Sequence, residues 1–392
     1  MMWDHLTLNA RETRQSEIRA VTRRIQAVGG VNLGQGTCAL PPHPQVLGAA
    51  HKALNDGHNV YTLFEGIPPL KQAIAERYQT HNSLPISEQN VLVTVGATGA
   101  FECICKCFLD PGDEVVLFEP IYQYHVNQVK TRGAIPRYVR LRPPDWSFRE
   151  NELEAAFTDS TKLFVFSNPN NPCGRVLTRE ELSIIGETCR RRNVIAVSDE
   201  VYEYILGSGT EHISLASLPG MFDHTLTISS ASKTFFVTGW RIGWLVGPEQ
   251  VMGPLGIKAD QTYVCAPAPF QHAIADALRL DDEFFHNIRK QFQTKQAKLS
   301  MALQSVGLKP YVTEGAYYIL ADYTALGFED DARAVEALIE QARVAAVPGS
   351  EFFVKNECTG LLRFCFALTD DELDRACHLL EQSPLRSLLA SK

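Results

Sequence analysis

The sequence predicts an α/β fold in which a mainly parallel sheet lies between helices, followed by a smaller α+β domain. Short apolar runs of four or five residues recur between helical patterns, and residues 91–95 and 163–167 are examples. Strands that are apolar along their whole length are typical of parallel sheets covered on both faces. With 392 residues the chain can bury a large core and form about two domains.

The first region alternates strands and helices from about residue 45. A helix is predicted over residues 69–81 because Leu70, Ile74 and Tyr78 share one helical face. A second helix follows directly after residue 95 and continues to residue 108, and a Thr178-x-x-Glu181 capping box opens a third. The predicted strands are 91–95, 114–118, 163–167, 194–198 and 225–228.

The pattern changes beyond about residue 284. One long helix over 281–303 precedes short strands near 317–320 and 361–366, with helices over 331–343 and 370–381. Thr369-x-x-Glu372 is a capping box for the last helix. We therefore expect an N-terminal segment, 1–44, that contributes to the small domain, a large domain over 45–283, and a C-terminal small domain over 284–392.

Composition limits the classes of function. The net charge of −8 and the pI near 5.8 indicate no basic face, so we expect no nucleic-acid partner. The first five residues lack the apolar core of a signal peptide, and no run of about 18 apolar residues is present, so we expect no membrane span. We therefore predict a cytoplasmic protein.

The ten cysteines form no recognisable metal motif. The densest group is Cys103-x-Cys105-x-Cys107, whose sulfurs would point to different faces of a helix. No matching His or Cys pair completes a ligand set. We therefore expect reduced, mostly buried thiols and no metal site.

Polar or aromatic residues follow each predicted strand of the large region, where ligands of open α/β sheets bind. Gly96-Ala97-Thr98 begins a helix, with Thr98 as the expected cap, and its free N–H groups suit a phosphate. The other features are Tyr122, the Asn168–Gly174 turn, Asp199 with Tyr202, and the stretch from Ser230 to Arg241 that contains Lys233. Each feature alone has an ordinary structural explanation. Together they match pyridoxal phosphate (PLP), which needs an amine and a carboxylate.

Several motifs in the same order resemble those of the class I/II aminotransferases, the fold-type I PLP enzymes, over nearly the whole chain. They include Leu33-Gly34-Gln35-Gly36, Tyr61-Thr62, Asn168 to Gly174, Ser198 to Tyr202, Ser230 to Phe235, Thr238 to Arg241, and Leu362 to Phe366. The resemblance implies a large PLP-binding domain with a seven-stranded sheet, a homodimer, and ping-pong transfer of an α-amino group from an amino acid to a 2-oxo acid.

The resemblance also implies roles at the cofactor. Lys233 would form a Schiff base with PLP and move the proton between the substrate Cα and the cofactor. Asp199 would keep the pyridine nitrogen protonated, and Tyr122 would stack on the ring. Asn171 and Tyr202 would hydrogen-bond the phenolic oxygen of PLP.

Further roles concern the phosphate and the substrate. Arg363 would bind the substrate carboxylate through two parallel hydrogen bonds, a geometry that lysine cannot reproduce, with Gly36 and Asn171 beside it. Tyr61 would reach the phosphate in the neighbouring subunit. The phosphate ligands within the chain would be Gly96, Ala97, Thr98, Ser230 and Arg241.

The nearest subgroup by these motifs contains the kynurenine/glutamine and methionine aminotransferases. In the kynurenine/glutamine enzymes, a His precedes the Cys-Pro of a loop that reaches the partner subunit. This chain has Val264 before Cys265 at the corresponding position. That difference argues against a kynurenine or glutamine substrate. Cys173 and the stretch Thr37 to Leu40 also depart from the usual pattern. The sequence shows no obvious second arginine that would bind the side-chain carboxylate of a dicarboxylic substrate.

Two other functions are compatible with parts of the pattern. A PLP-dependent lyase or amino-acid oxidase would carry the same lysine, aspartate and arginine. A transcriptional sensor with an aminotransferase-like domain would need a DNA-binding domain, but the pattern begins within about thirty residues of the start.

Overall fold

The computed structural model describes His5, residues 17–354 and residues 359–385. Helices and strands alternate through most of this part of the chain. The helices are α1 (Glu17–Ala27), α2 (Pro44–Asn55), α3 (Pro68–His81), α4 (Gly96–Phe108), α5 (Gln123–Thr131), α6 (Glu150–Ala156), α7 (Arg179–Arg192), α8 (Ala231–Thr234), α9 (Glu249–Tyr263), α10 (Ala268–Ala277), α11 (Asp282–Ser305), α12 (Asp331–Ala337) and α13 (Asp370–Glu381).

Within the described residues the strands form three sheets. The strands are β1 (Val31–Asn32), β2 (Val91–Val95), β3 (Glu114–Glu119), β4 (Ile135–Arg140), β5 (Thr161–Ser167), β6 (Ile195–Asp199), β7 (Thr225–Ser230), β8 (Ile242–Val246), β9 (Lys309–Pro310), β10 (Tyr318–Asp322), β11 (Val344–Ala345), β12 (Val347–Pro348) and β13 (Leu361–Cys365).

The main sheet has seven strands in the order β2-β8-β7-β6-β5-β3-β4, and only β8 runs antiparallel to its neighbours. The prediction of a mainly parallel α/β sheet is therefore confirmed. Both faces of the sheet are covered: along β3, Val115 and Leu117 pack into one apolar cluster, while Val116 and Phe118 pack into another. Burial on both faces explains why these strands lack polar alternation.

Two strands of this sheet were not predicted from the pattern. β4 is an edge strand that pairs only with β3, and it contains Pro136, Arg137 and Arg140. Edge strands tolerate proline and charge because one side faces away from the sheet. β8 directly follows the turn at Arg241, so its apolar run gives no separate signal in the sequence.

The C-terminal region carries a four-stranded sheet of order β12-β13-β10-β9, and α11 packs against α13. The N-terminal segment joins this region, since β1 pairs with β11 and Ala39 N–H donates to Ala367 O at 2.9 Å. The helix predicted over 331–343 is divided: α12 ends at Ala337 and a π-helical turn, Leu338–Ala342, follows. Within the described residues, no helix is both long and apolar enough to cross a membrane.

Candidate active site

The carboxyl ends of the parallel strands bring the predicted polar residues to one edge of the main sheet. Ser167 at the end of β5 lies opposite Asp199 at the end of β6, and Asp199 lies opposite Ile228 of β7. Gly96 follows β2, and Ser230 ends β7. This edge is where α/β proteins of this topology bind ligands.

Lys233 lies in the short helix α8, directly after β7. Its Nζ donates to Gly36 O at 3.4 Å and lies 5.5 Å from the centre of the Tyr317 ring. Burial lowers the pKa of Lys233 from 10.5 to about 8, and the nearby Cys365, Cys38 and Asp199 oppose this shift. A larger fraction of this amine is therefore neutral, and so nucleophilic, than in an ordinary lysine.

Asp199 is buried, and its Oδ2 lies 3.2 Å from His125 Nε2. His125 lies in the first turn of α5, where its ring packs edge-on against Phe101 and Tyr122, with centroid distances of 4.7 and 5.6 Å. Sequence reasoning missed His125. The signal available in the sequence was its position, three residues after Tyr122 at the start of the helix that follows β3, which would have placed it beside the site.

Three tyrosines line the site near Lys233. The hydroxyls of Tyr202 and Tyr318 lie 3.1 Å apart, and Tyr317 donates to Gly36 O at 2.9 Å. Burial and the neighbouring Tyr318 raise the pKa of Tyr202 well above its usual value, so its hydroxyl stays protonated and can donate. Tyr317 and Tyr318 were predicted only as strand residues, because nothing near them in the sequence indicates a site.

Arg363 on β13 is buried, with 3% of its surface exposed. Its Nη1 donates to Asn171 Oδ1 at 3.1 Å and its Nη2 to Gly34 O at 2.9 Å. The guanidinium lies 4.2 Å from the centre of the Tyr318 ring and 4.7 Å from that of Phe352, which sequence reasoning also missed.

Both hydrogen bonds of the Arg363 guanidinium go to neutral oxygens, Asn171 Oδ1 and Gly34 O, and its Nε has no acceptor among the described residues. A buried cation without a counter-ion is costly. The site is therefore suited to an anionic ligand.

Gly96, Gly243 and Arg241 form a tight cradle at the start of α4. Gly96 has φ +66°, and a Cβ there would lie 2.4 Å from Arg241 Nη2, so the guanidinium rests directly on this glycine. A Cβ on Gly243 would lie 2.4 Å from the carbonyl carbon of Gly96. The helix start, with its free N–H groups, and the Arg241 charge are thus held side by side, as a phosphate requires.

The expectation that Thr98 caps this helix is wrong. Val95 occupies the cap position without a side-chain cap bond, and the helix begins at Gly96. The chain passes from β2 into α4 without a loop, so Thr98 lies inside the first turn. Its carbonyl accepts from Gln128 Nε2 at 3.2 Å, and Ala97 lies beside it in the same turn.

The remaining predicted residues differ in their placement. The Ser230 hydroxyl is buried, donates to Ile242 O at 2.9 Å and accepts from Ser232 N–H as the cap of α8. Tyr122 is stacked on Tyr124 with a centroid distance of 5.0 Å, and burial raises its pKa. Tyr61 is 82% exposed, so it takes no part in the buried cluster of its own chain.

The nine cysteines that the structure describes are all free thiols, and seven of them are buried. Cys103 and Cys105 are buried in α4, and burial raises the pKa of Cys103 to about 11. Cys358 lies outside the described residues.

The residues at this edge fit PLP. Its phosphate would meet the start of α4 and Arg241, and its ring would lie near Tyr122 and Asp199. Lys233 supplies the amine that its aldehyde needs. A separate buried cation, Arg363, remains available for a second anion.

Comparison with known proteins agrees with this arrangement. The family model for aminotransferase class I and II matches residues 28–380. Kynurenine–oxoglutarate transaminase 3 of Rattus norvegicus is 37% identical over an alignment of 379 positions, which covers 88% of this chain and 83% of that protein.

Two solved structures are similar over almost the whole chain. The N-succinyldiaminopimelate aminotransferase of Mycobacterium tuberculosis has a TM-score of 0.92 at 33% identity, covering 96% of this chain and 99% of that one. YbdL of Escherichia coli, described with a methionine aminotransferase function, has a TM-score of 0.93 at 26% identity with the same coverage.

Proposed function

The chain belongs to the class I and II aminotransferases, and from this premise we propose the roles through which its residues transfer an amino group. The protein is a PLP-dependent enzyme of fold type I that acts on amino acids and 2-oxo acids. The three relatives are named as aminotransferases, which favours transfer over the lyase and oxidase alternatives.

PLP, when bound, supplies an aldehyde that takes up the amino group and a ring that accepts the electron pair of the substrate Cα. Lys233 holds the cofactor before substrate arrives. Its Nζ, once released, would take the proton from the substrate Cα and would hold it for transfer to the cofactor. The lowered pKa of about 8 keeps part of the amine neutral for this work near neutral pH.

Asp199 keeps the pyridine nitrogen protonated, and His125 orients its carboxylate through the 3.2 Å contact. The Tyr202 hydroxyl, protonated because of its raised pKa, and Asn171 donate to the phenolic oxygen of PLP. Tyr122 covers one face of the ring. These groups favour negative charge on the ring side of the substrate when the proton leaves.

The substrate carboxylate binds Arg363, with Gly36 and Asn171 beside it. The observation that carries the proposal is that one short segment contacts both reactive groups: Lys233 Nζ reaches Gly36 O at 3.4 Å, and Arg363 Nη2 reaches Gly34 O at 2.9 Å. The amine of Lys233 and the guanidinium of Arg363 are thus held close together by two residues, Gly36 and Gly34, of one segment. This spacing matches an α-amino acid, whose amino and carboxylate groups share one carbon.

The start of α4 would hold the phosphate of PLP. Free N–H groups of the first turn would donate hydrogen bonds to it, and the Arg241 guanidinium would balance part of its charge. Ser230 would complete this set by donating its hydroxyl hydrogen bond to a phosphate oxygen in place of the Ile242 carbonyl. The ligands are Gly96, Ala97, Thr98, Ser230 and Arg241.

The enzyme is a homodimer in which Tyr61 reaches the phosphate of the partner subunit. Val60, Tyr61 and Leu63 are exposed by 76, 82 and 59%, an unusual concentration of apolar surface on one segment. Buried Gln271 fixes this segment, because its Nε2 donates to Thr62 Oγ1 at 3.0 Å. A second copy of the chain would cover these side chains.

The proposed domain division is 1–44 with 284–392 around 45–283, and the pairing of β1 with β11 supports it. The cytoplasm remains the proposed location, on the composition and the cysteine usage.

A half-reaction screen tests the proposed function. The purified enzyme is mixed with each amino acid without an acceptor, and the cofactor spectrum, oxo acid and ammonia are measured. We expect one oxo acid per site, no ammonia, and recovery of the spectrum on adding a 2-oxo acid. Continued ammonia or peroxide release without an acceptor would contradict transfer.

A further inference from the structure

A buried polar cluster lies behind the active site, on the segment that follows β6. It consists of Glu200, Glu203 and His212, and one donor atom from each lies within 4.8 Å of the others. Glu200 is fully buried, Glu203 is 2% exposed, and the His212 side chain is 1% exposed. The proposed roles of Asp199 and Tyr202 use none of these three side chains.

Each carboxylate is held by one oxygen and leaves the other free. Glu200 Oε1 accepts from Ser198 Oγ at 2.8 Å and Ser214 Oγ at 2.9 Å, and Glu203 Oε1 accepts from Ser229 Oγ at 2.8 Å. Neither Oε2 atom makes a hydrogen bond of normal geometry, although the Asn82 side chain lies near Glu203. A carboxylate that binds a metal through one oxygen often accepts hydrogen bonds from hydroxyl groups at its second oxygen, which is the arrangement found here.

His212 supplies the third open donor. Neither ring nitrogen makes a hydrogen bond of normal geometry, and Nε2 lies 3.6 Å from Glu200 Oε2. The buried position of the ring favours its neutral form, which is the form that binds metals.

Two carboxylates buried this close together are costly without positive charge beside them. The Arg77 guanidinium is hydrogen-bonded to Tyr204 and Asp282 instead. A divalent cation would neutralise both carboxylates at once.

We propose that Glu200, Glu203 and His212 bind a divalent transition metal, with zinc as the best match. Zinc bonds to nitrogen and oxygen near 2.1 Å and is tetrahedral, which puts ligand atoms about 3.4 Å apart. The 3.6 Å between Glu200 Oε2 and His212 Nε2 is close to that value. The Glu203 oxygen lies within 4.8 Å of the other two ligand atoms and would move toward them on binding. A water molecule would take the fourth position.

A route for the ion exists. Glu203 lines a cavity of about 730 Å³ that also contacts Arg77, His81, Asp282 and the exposed His286. The bound metal would fix the segment from 199 to 203, whose other residues, Asp199 and Tyr202, face the cofactor. Its role is therefore structural, and the amine chemistry at Lys233 does not involve it.

Zinc titration of the chelator-treated holoenzyme tests the proposal. We expect one zinc per chain by calorimetry and elemental analysis, and binding at least about tenfold weaker in Glu203→Gln and His212→Asn. His286→Asn is the matched control, since it removes an imidazole from the same cavity and should leave binding unchanged. Because PLP itself binds cations, only binding that depends on Glu203 and His212 supports the proposal.

Zinc-edge X-ray absorption on the wild type gives a second readout that needs no variant to fold. We expect one imidazole nitrogen and carboxylate oxygens near 2.0–2.1 Å, without sulfur. Sulfur ligands, no zinc uptake, or uptake that is equal in the three variants would overturn the proposal.

Discussion

Replacing Arg363 with alanine should weaken the enzyme selectively toward substrates that carry a carboxylate. The side chain is 3% exposed and is fixed by two hydrogen bonds, from Nη1 to Asn171 and from Nη2 to Gly34, so little reorganisation precedes binding. Losing a buried, hydrogen-bonded partner of a charge costs about 2–5 kcal/mol. At about 1.4 kcal/mol per tenfold, a loss of about 3 kcal/mol lowers kcat/KM roughly 150-fold.

The assay compares an α-amino acid with the amine that has the same side chain but no carboxylate. Single-turnover kinetics followed through the cofactor spectrum give kcat/KM for both. We expect the amino acid to lose the full factor in Arg363→Ala and the amine to change little. Arg363→Lys serves as a control for charge: it keeps the cation but loses the forked geometry, so it should recover only part of the loss. Equal losses for both substrates would refute the clamp.

Three further results are expected. Reconstitution of the cofactor-free protein with PLP should rise about tenfold per pH unit below pH 8 and level off above it, because the folded pKa of Lys233 is lowered and the neutral amine reacts; a rate independent of pH between 6 and 8 would contradict this. His125→Asn should slow removal of the Cα proton about tenfold or more through loss of the 3.2 Å contact with Asp199, and Asp199→Asn should slow it further. The kinetic isotope effect of a substrate deuterated at Cα measures this step, and an unchanged isotope effect with full activity would exclude the role of His125. Tyr61→Ala and Lys233→Ala are each expected to be impaired, and mixed, refolded subunits should regain activity, because one of the two sites then has both residues intact; no recovery would contradict a shared site.

Much of the site was predictable because strand ends are visible in the sequence. A buried parallel strand is a short apolar run, and the residue that follows it lies at the ligand-binding edge. Gly96, Asp199 and Lys233 were located in this way, and the seven-stranded sheet is confirmed.

The residues that were missed reach the site from other elements. His125 comes from the first turn of α5, Tyr318 from the start of β10, and Phe352 from the C-terminal region. Aromatic residues are ordinary core residues in a sequence, and only packing shows which of them contact a charged group. Thr98 was misassigned because a strand that passes directly into a helix leaves no loop for a side-chain cap.

The cluster behind the site shows a further limit of sequence reasoning. Glu200 directly follows Asp199, yet the two side chains have different partners, His125 for Asp199 and Ser198, Ser214 and His212 for Glu200. Successive side chains of an extended chain point to opposite sides. His212, twelve residues after Glu200, completes the cluster only through the fold.

The central claim is that the Lys233 amine carries the reaction. Its most direct test is mass spectrometry after borohydride treatment of the holoenzyme, together with single-turnover kinetics of Lys233→Ala. We predict that the cofactor becomes fixed to the peptide containing Lys233, and that the variant retains PLP but releases no oxo acid from any amino acid. Fixation at another lysine, or oxo-acid release at the wild-type rate by Lys233→Ala, would contradict the account.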